Sequence, residues 1–331
     1  MKLDITQDAF KIAGSFVISG RGDKTPWVRT EAWVLTVTIE RDGIVGRGEC
    51  TPYPRYNETL ESSTDEIRAV EAQLKAGLDR QGLLTAMKAG AARNAVDCAL
   101  WDWEAKAAGK RVWELAGLPE PKPVPTVFTL SLGEPDDMRA KAAENAHRPV
   151  LKVKLGGEGD IARLRAVREG APQSRIVIDA NEGWTLDTYR EMAGVLPELG
   201  VDMVEQPLPA GDDGALLGID RPLPVCADES CHDRTSLPKL TGKYDIVNIK
   251  LDKTGGLTEA LALREAALAE GYDVMVGCMM GSSLAMAPAQ LVAQGATVVD
   301  LDAPLLLATD REDPMFYDDA GVHAPSAALW G

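Results

Sequence analysis

Short apolar runs recur through the middle of this 331-residue chain, and a charged residue stands at or just past the end of each. These residues follow one another at intervals of about 22 to 26 positions, which is enough for one strand, one helix and two loops. The runs are residues 150–155, 175–180, 201–206, 223–229 and 244–251, and the charged residues are Lys154, Asp179, Glu205, Asp228 and Lys250. This period predicts an α/β barrel, whose strands end at a common mouth. We therefore expect three carboxylates there, with a lysine on either side.

Residues before about position 115 follow a different pattern. Residues 34–40 alternate as a strand, Asp42 and Gly43 form a turn, and residues 44–50 return as a second strand. Residues 62–108 have helical periodicity, in which Ile67, Val70 and Leu74 share one face. Strands followed by helices predict a separate α+β domain.

The barrel is expected between Thr126 and Asp302, where we count about eight strand candidates. In the helix after Lys250, we expect Leu257, Leu261 and Leu268 to form a stripe against the sheet. Residues after position 304 lack a helical stripe and are expected to return to the first domain.

Composition excludes several classes of partner. The net charge of −16 disfavours nucleic acid, and no stretch approaches the roughly 20 apolar residues of a membrane span. With no basic and apolar leader, the cytoplasm is the expected location. Five cysteines without CxxC spacing are expected to be reduced thiols, and three scattered histidines disfavour a histidine-rich metal centre.

The three strand-end carboxylates suit a hard cation. Asp179, Glu205 and Asp228 would offer oxygen ligands from adjacent strands, and Mg²⁺ is the first choice for such a set. The alternative is that each is a strand-end cap or a salt-bridge partner. Each carboxylate follows an apolar run, however, where its charge needs a cation or strong hydrogen bonds.

The lysines suggest proton transfer. Lys152 and Lys154 point to one side of their strand, and burial beside other positive charges is expected to lower lysine pKa values towards those of a base. Lys152 is expected mainly to pair with the carboxylates. Lys154 and Lys250 would face a metal-bound carboxylate from opposite sides. One lysine would take the α-proton to form an enediolate, and the other would return a proton to invert the α-carbon.

Further residues are candidates for binding substrate. Asp300 and Asp302 alternate onto one side of the last strand and would hold an ammonium group, unless they close a local helix or loop. Arg21, Lys24 and Arg55 lie in loops, where each is either a contact for a second carboxylate or a solvated surface charge.

The motifs together resemble a known family. The order KxK, Asp, Glu, Asp, Lys, with DAN, EQP, ADES and NIKLDKTGGLTEA around it, resembles the muconate-lactonizing subgroup of the enolase superfamily. The strings DLD, GCMMGSS, GECTPYPRY and GAARNAVDCALWD resemble the dipeptide epimerases, and most closely those acting on L-Ala-D/L-Glu in murein-peptide recycling. Enolase-type sites combine a lysine or histidine base with Mg²⁺.

The resemblance implies a fold and a set of roles. The fold would be a modified (β/α)7β barrel at 121–304, capped by an α+β domain at 1–120 that residues 305–331 complete. Lys154 and Lys250 would be the acid/base pair, with Lys152 their electrostatic partner. The remaining implied roles are Mg²⁺ binding by Asp179, Glu205 and Asp228, ammonium binding by Asp300 and Asp302, and contact with the dipeptide substrate by Thr129, Cys278 and Arg21.

Two alternatives remain open. The same site in o-succinylbenzoate synthase or muconate-type relatives carries out dehydration or cycloisomerisation, although such substrates offer no ammonium group for Asp300 and Asp302. A non-catalytic binding protein is the second alternative. The dipeptide range and the oligomeric state, with a homo-oligomer possible, are left open by the sequence.

Overall fold

The computed structural model describes residues 1–18 and 27–331. Arg21 and Lys24 lie outside the described residues. The described chain contains a small antiparallel sheet with helices, followed by a parallel sheet of eight strands. Within these limits, no helix is both long and apolar enough to cross a membrane.

The N-terminal sheet has three antiparallel strands in the order β1, β2, β3. They are β1 (Lys2–Ile18), β2 (Trp27–Arg41) and β3 (Ile44–Cys50). The predicted turn at Asp42 and Gly43 is confirmed, since both residues have positive φ (54° and 76°), as a tight hairpin requires. The long strand β1 was not predicted.

In the part of the chain that the structure describes, five helices pack against this sheet or follow it. They are α1 (Leu60–Ala69), α2 (Glu71–Lys75), α3 (Arg80–Ala86), α4 (Ala91–Ala108) and α5 (Val112–Leu115). The predicted apolar face is confirmed, because Ile67, Val70 and Leu74 are all buried.

Strand β3 lies directly on helix α4. A Cβ atom at Gly48 would stand 2.1 Å from the carbonyl oxygen of Ala95, and one at Gly46 would stand 2.2 Å from that of Ala99. No side chain fits in this space. The two glycines therefore allow the backbone of the strand to touch the backbone of the helix.

The parallel sheet is the predicted barrel, and its eight strands are adjacent in chain order. The strands are β4 (Phe128–Leu130), β5 (Val150–Lys154), β6 (Arg175–Asp179), β7 (Val201–Glu205), β8 (Val225–Ala227), β9 (Ile246–Ile249), β10 (Asp273–Val276) and β11 (Val298–Val299). The first and last strands meet where the amide of Val127 donates to the carbonyl of Val299 at 2.9 Å. The barrel with an N-terminal α+β cap is thus confirmed.

Helices alternate with most of these strands. They are α6 (Pro135–Glu144), α7 (Asp160–Gly170), α8 (Leu186–Ala193), α9 (Leu237–Leu240), α10 (Leu251–Thr254), α11 (Leu257–Ala269) and α12 (Ser283–Val292). The stripe predicted for α11 is partly wrong: Leu257 is buried, but Leu268 is 48% exposed. Ala260 and Leu263 face the core instead, because this helix is apolar on several sides and its packing decides which side is covered.

The last residues run back to the first part of the chain. The strands β12 (Tyr317–Asp318) and β13 (Gly321–Val322) form a hairpin, and Val322 pairs with Val124. Trp330 is buried, and its indole nitrogen donates to the carbonyl of Cys98 in α4 at 3.1 Å. These contacts agree with a cap completed by the tail, although the domain boundaries themselves stay a prediction.

Candidate active site

A ring of apolar side chains inside the barrel places the polar ones above it. The ring is Val127, Val150, Val177, Met203, Cys226, Ile246, Met275 and Val298, one residue from each strand or the position before it. Because side chains alternate along a strand, residues two and four positions further on point into the same interior, nearer the mouth. Among those positions are Thr129, Lys152, Lys154, Asp179, Glu205, Asp228, Asn248, Lys250, Asp300 and Asp302.

The five charged residues of the initial prediction therefore meet at the mouth. Lys154, Asp179 and Glu205 are neighbours across strands β5, β6 and β7. Asp228 follows β8 and Lys250 follows β9. All five side chains are buried.

Each of the predicted lysines lies against a carboxylate. The Nζ of Lys154 donates to Asp179 Oδ2 at 2.6 Å, and that of Lys250 donates to Asp228 Oδ2 at 2.7 Å. Lys152 Nζ lies 3.2 Å from Asp179 Oδ2 and 2.6 Å from both Glu205 Oε2 and Asp300 Oδ2. The site is a compact arrangement of alternating charges.

These contacts overturn the expected direction of the pKa values of Lys152 and Lys250. Burial disfavours the ammonium form of Lys152, but the carboxylates of Asp300, Glu205 and Asp179 outweigh burial and raise its pKa. Burial likewise opposes the charge of Lys250, whose pKa is nevertheless raised, chiefly by Asp228. The prediction weighed burial and positive neighbours, whereas negative groups stand closest to both lysines.

The carboxylates are affected in different directions. Burial and the charge of Asp179 raise the pKa of Glu205 to about 7. Burial also opposes the charge of Asp179, but the ammonium groups of Lys154 and Lys152 outweigh it and lower the pKa of Asp179 to about 2. Asp228 has a lowered pKa because Lys250 and a further lysine, Lys253, outweigh its burial.

Several buried oxygen atoms around these carboxylates have no hydrogen-bond donor among the described residues. They are Asn181 Oδ1, Glu205 Oε2, Glu229 Oε2 and Asn248 Oδ1. Glu205 Oε2 is close to Lys152 Nζ at 2.6 Å, but the contact lacks hydrogen-bond angles. Buried oxygens without donors fit a hard cation, which takes oxygen ligands.

The described residues contain one group of three possible ligands whose atoms lie within 4.8 Å of one another, namely Cys278, Asp300 and Asp302. The carboxylate oxygens of Asp179, Glu205 and Asp228 do not meet this distance limit together. Each of the three carboxylates instead forms an ion pair with a lysine ammonium group. The acidic trio thus shares the mouth without converging as tightly as a bound cation would require.

Asp300 and Asp302 face the mouth as predicted, but their environments differ. Burial and the nearby charge of Asp300 raise the pKa of Asp302 to about 7. Asp300 has a lowered pKa because Lys152 and Lys154 outweigh its burial. The backbone amide of Thr129 donates to Asp302 Oδ2 at 2.6 Å, which links the last strand to the first.

A pocket opens over this cluster between the barrel and the N-terminal residues. From the barrel it is lined by Thr129, Lys152, Lys154, Asn181, Asp228, Glu229, Lys250, Cys278, Met279, Met280, Asp300, Asp302, Ala303 and Leu306. From the N-terminal part it is lined by Phe16, Ile18, Arg29, Tyr53 and Tyr56. The pocket brings together most of the predicted site residues. Asp179 and Glu205 lie at the mouth beneath it, Arg55 does not line it, and Arg21 and Lys24 lie outside the described residues.

Arg29 is a pocket residue that the sequence analysis missed. Its guanidinium carbon lies 3.8 Å from the centre of the Trp27 ring and 5.2 Å from that of Tyr53. Burial lowers its pKa, and no carboxylate in the described part of the chain forms an ion pair with it. Arg55, considered earlier for such a role, instead donates to both carboxylate oxygens of Glu182 at 3.1 and 3.0 Å.

Lys253 is the second missed residue. It is buried, and its ammonium donates to Asp228 Oδ1 at 2.6 Å, to the Asp228 carbonyl at 2.5 Å and to the Asn248 carbonyl at 3.0 Å. The signal was present in NIKLDK, since the lysine three positions after Lys250 lies in the short helix that follows it, Leu251–Thr254.

The fold and the mouth together define a class: a capped barrel that holds lysines and carboxylates at the carboxyl ends of its strands. An enolase C-terminal domain-like family matches residues 137–327, and the N-terminal domain of the mandelate racemase / muconate lactonizing enzyme family matches residues 25–117. The chain belongs to the mandelate racemase / muconate lactonizing enzyme family of the enolase superfamily.

Several relatives are similar over nearly their whole length. The L-Ala-D/L-Glu epimerase of Escherichia coli K12 is 44% identical, with 96% of this chain and 98% of the relative covered. The N-acetyl-D-glutamate racemase of a Pseudoalteromonas species is 42% identical, with 90% and 95% covered. A solved structure from Agrobacterium tumefaciens is 52% identical, with 99% of both chains covered and a TM-score of 0.95. That protein is described as an enolase family member with homology to dipeptide epimerases, and its structure contains bound sodium and L-Ala-L-Glu.

Proposed function

We propose that this protein is a Mg²⁺-dependent dipeptide epimerase, which inverts the α-carbon of the C-terminal residue and prefers L-Ala-D/L-Glu. The observation that carries the proposal is the pair of buried lysines, Lys154 and Lys250, on either side of the strands that bear the three carboxylates. A substrate held between them meets one amine at each face. The 44% identity to the Escherichia coli epimerase supports the choice of reaction.

Asp179, Glu205 and Asp228 are the residues that would hold Mg²⁺. Asn248 Oδ1, a buried oxygen beside Glu205 that has no hydrogen-bond donor among the described residues, supports this assignment. When bound, the cation supplies charge that draws electrons into the substrate carboxylate and so makes its α-proton more acidic. Dipeptide epimerases from Enterococcus faecalis and Methylococcus capsulatus have been solved as complexes with Mg and a dipeptide.

The two lysines transfer protons from and to the α-carbon. One lysine amine removes the α-proton, and the electron pair of the broken C–H bond passes into the carboxylate group. The ammonium of the opposite lysine delivers a proton to the other face of the same carbon. Lys152, held among Asp179, Glu205 and Asp300, keeps its positive charge near the developing negative charge.

Asp300 and Asp302 would bind the ammonium group of the dipeptide, with Thr129 and Cys278 beside them. Two buried carboxylates beside a pocket suit a cationic group and would repel an anion. This matters because N-acetylglutamate has nearly the outline of Ala-Glu but no ammonium. The pair therefore favours the dipeptide over the substrate named for the Pseudoalteromonas relative.

Arg29 would bind the side-chain carboxylate of the C-terminal glutamate. It is a pocket cation without an ion-pair partner among the described residues, whereas Arg55 is engaged by Glu182. A guanidinium held beside two aromatic rings keeps its hydrogen-bond donors free to bind a carboxylate. Arg21, the candidate from the sequence, stays a prediction.

Hydrogen exchange at the α-carbon tests the reaction. L-Ala-L-Glu is incubated with the protein and Mg²⁺ in D₂O, and we expect deuterium at the glutamate α-carbon together with the D-epimer, detected by NMR and mass spectrometry. N-acetylglutamate in the same assay should react more slowly. Absence of deuterium from Ala-Glu would refute the substrate assignment, and faster turnover of N-acetylglutamate would favour a racemase instead.

An arginine variant tests the choice of glutamate. Arg29→Met should lower kcat/KM for Ala-Glu by about 10- to 100-fold, since a hydrogen-bonded charged group contributes about 1.5–3 kcal/mol. Ala-Gln has the same shape without the charge, so its turnover should change little. An equal loss of kcat/KM for both dipeptides would show that Arg29 does not bind the side-chain carboxylate.

We also propose a cytoplasmic role in murein-peptide recycling, as the family resemblance implies. Epimerisation of other dipeptides, and o-succinylbenzoate synthase or cycloisomerase chemistry, remain alternatives. A screen of a dipeptide library in D₂O by mass spectrometry separates the epimerase alternatives, because only accepted substrates gain mass.

A further inference from the structure

One wall of the pocket is a short segment that follows β10. Residues 278–280, here called the pocket wall, place Cys278, Met279 and Met280 on the lining. None of the three belongs to a regular element, so contacts with other parts of the chain must hold the segment in place.

The pocket wall is anchored on the end of strand β3. Glu49 Oε1 accepts from the amide of Ser282 at 2.7 Å, and the hydroxyl of Thr51 donates to the carbonyl of Met280 at 3.2 Å. Gly281, between them, passes so close that a Cβ atom would stand 3.1 Å from Glu49 Oε1. Glu49, in β3, and Thr51, just after it, thus hold the residues that end the wall.

Arg311, from the C-terminal segment, completes the anchor. Its Nε and Nη2 donate to Glu49 Oε2 at 2.9 and 2.6 Å, and its Nε also donates to the Ser282 hydroxyl at 2.8 Å. The side chain of Glu49 is fully buried, so its charge needs this partner. The Ser282 hydroxyl donates in turn to Glu49.

The wall lies beside the two carboxylates that would bind the dipeptide ammonium. The Cys278 sulfur is within 4.8 Å of carboxylate oxygens of Asp300 and Asp302. In a dipeptide, the carbon that carries the ammonium also carries the N-terminal side chain. That side chain must therefore lie within a few bond lengths of the wall, and a rigid wall limits its size.

We infer that Glu49 and Arg311 are positioning residues that hold the pocket wall and thereby select a dipeptide with a small N-terminal residue. The statement about selectivity rests on the proposed function. The anchoring of the wall depends only on contacts within the chain.

Substrate discrimination tests the selectivity. Arg311→Met and Glu49→Gln should raise KM for Ala-Glu by roughly tenfold with kcat within about threefold, and should lower the preference for Ala-Glu over Leu-Glu by roughly tenfold, as expected for a loosened pocket contact. Arg80→Met is the matched control, since Arg80 pairs with Glu104 at 2.7 Å in the cap and does not touch the wall. An unchanged preference in both variants would overturn the selectivity.

Labelling of Cys278 tests the wall without any assay of activity. Cys278 is partly exposed, whereas the other four cysteines are buried, so iodoacetamide modification followed by peptide mass spectrometry reports on this segment. Both variants should label at Cys278 roughly tenfold faster than the parent and the Arg80→Met control, since an anchored segment opens less often.

Thr51→Val is a milder variant that removes only the hydrogen bond to Met280 and keeps the side-chain volume. It should speed labelling in the same direction by a smaller factor, and circular dichroism confirms that it is folded. Unchanged labelling in folded variants would overturn the inference. If the parent protein fails to exchange the α-proton of Ala-Glu while the variants label faster, the proposed function and the selectivity fail together, and the anchoring of the wall is supported.

Discussion

At the scale of single residues, the site follows from alternation along each strand. The apolar ring that includes Val177 and Met203 lies two positions before Asp179 and Glu205, so the same strand face supplies both core and chemistry. A shift of one residue in any strand would turn its functional side chain away from the mouth. The identity of each mouth residue is therefore tied to the packing beneath it.

Replacing either flanking lysine should stop inversion. In Lys154→Ala or Lys250→Ala, epimerisation of Ala-Glu should fall by at least roughly 10³-fold, because proton transfer by a positioned group typically contributes about 10²–10⁴-fold on each face. The remaining lysine should still exchange the α-proton of one epimer in D₂O. Lys243→Ala, which removes a lysine paired with Asp213 away from the pocket, is the control. Retained inversion in either variant would exclude a two-base mechanism.

Affinity for the dipeptide should depend on pH through Asp302. Its pKa is raised to about 7 by burial and by Asp300, so Asp302 is mostly neutral below that pH and mostly charged above it. The Kd of Ala-Glu, measured by calorimetry, should therefore fall as pH rises from 6 to 7.5, where the dipeptide amine stays mostly protonated. N-acetylglutamate should show no such fall, and Asp302→Asn should abolish it. The same pH dependence in Asp302→Asn would assign it to another group.

At the scale of elements, close contact between β3 and α4 sets the position of the cap. The carbonyl oxygens of Ala95 and Ala99 occupy the space where Cβ atoms of Gly48 and Gly46 would lie. The same strand continues to Glu49 and Thr51, which reach the barrel. A displacement of β3 from α4 would therefore move the anchor of the pocket wall.

Gly48→Ala should be strongly destabilising. The added methyl group would overlap a helix backbone that has little room to move, and overpacking costs about 1–3 kcal/mol or more of unfolding free energy. Gly214→Ala is the matched control, because a Cβ atom there meets nothing within 4 Å and the residue lacks a positive φ. Urea denaturation measures both. Equal stability of the two variants would show that the strand moves aside freely.

At the scale of the whole molecule, one buried arginine joins the cap to the barrel beside Lys250. Arg93 in α4 donates to the carbonyls of Thr254 and Gly255 at 2.6 and 3.0 Å, at the end of the short helix that follows Lys250. It also donates to the carbonyls of Leu84 and Met87 at 3.2 Å. The cap is thus bonded to a segment that bears a proposed catalytic residue.

Arg93→Met should lower the free energy of unfolding by about 3 kcal/mol or more, because each buried carbonyl left without a donor costs about 1–3 kcal/mol. Arg139→Met, which removes a half-exposed arginine from the barrel surface, should change it by no more than about 0.5 kcal/mol. Urea denaturation followed by circular dichroism gives both values. A loss for Arg93→Met as small as that of the control would mean that water replaces the lost donor.

The sequence predicted the barrel and most of its mouth because both follow from local rules. The period of strand and helix is visible over about 25 residues, and alternation assigns Lys152, Asp179 and Asp302 to the interior. The prediction that Leu268 is buried was wrong, because the sequence of an evenly apolar helix does not indicate which side is buried. The predicted lowering of the pKa values of Lys152 and Lys250 was wrong because the direction depends on which charges lie nearest in space.

By itself, then, the amino-acid sequence determined the kind of fold and which residue types end its strands. Only the tertiary structure decided which distant residues contact one another around the site. Arg29 lines the pocket from a different part of the chain, and Arg311 binds Glu49 across 262 positions. Strand and helix periods are set between neighbouring residues, whereas contacts across such distances depend on how complete elements pack against each other.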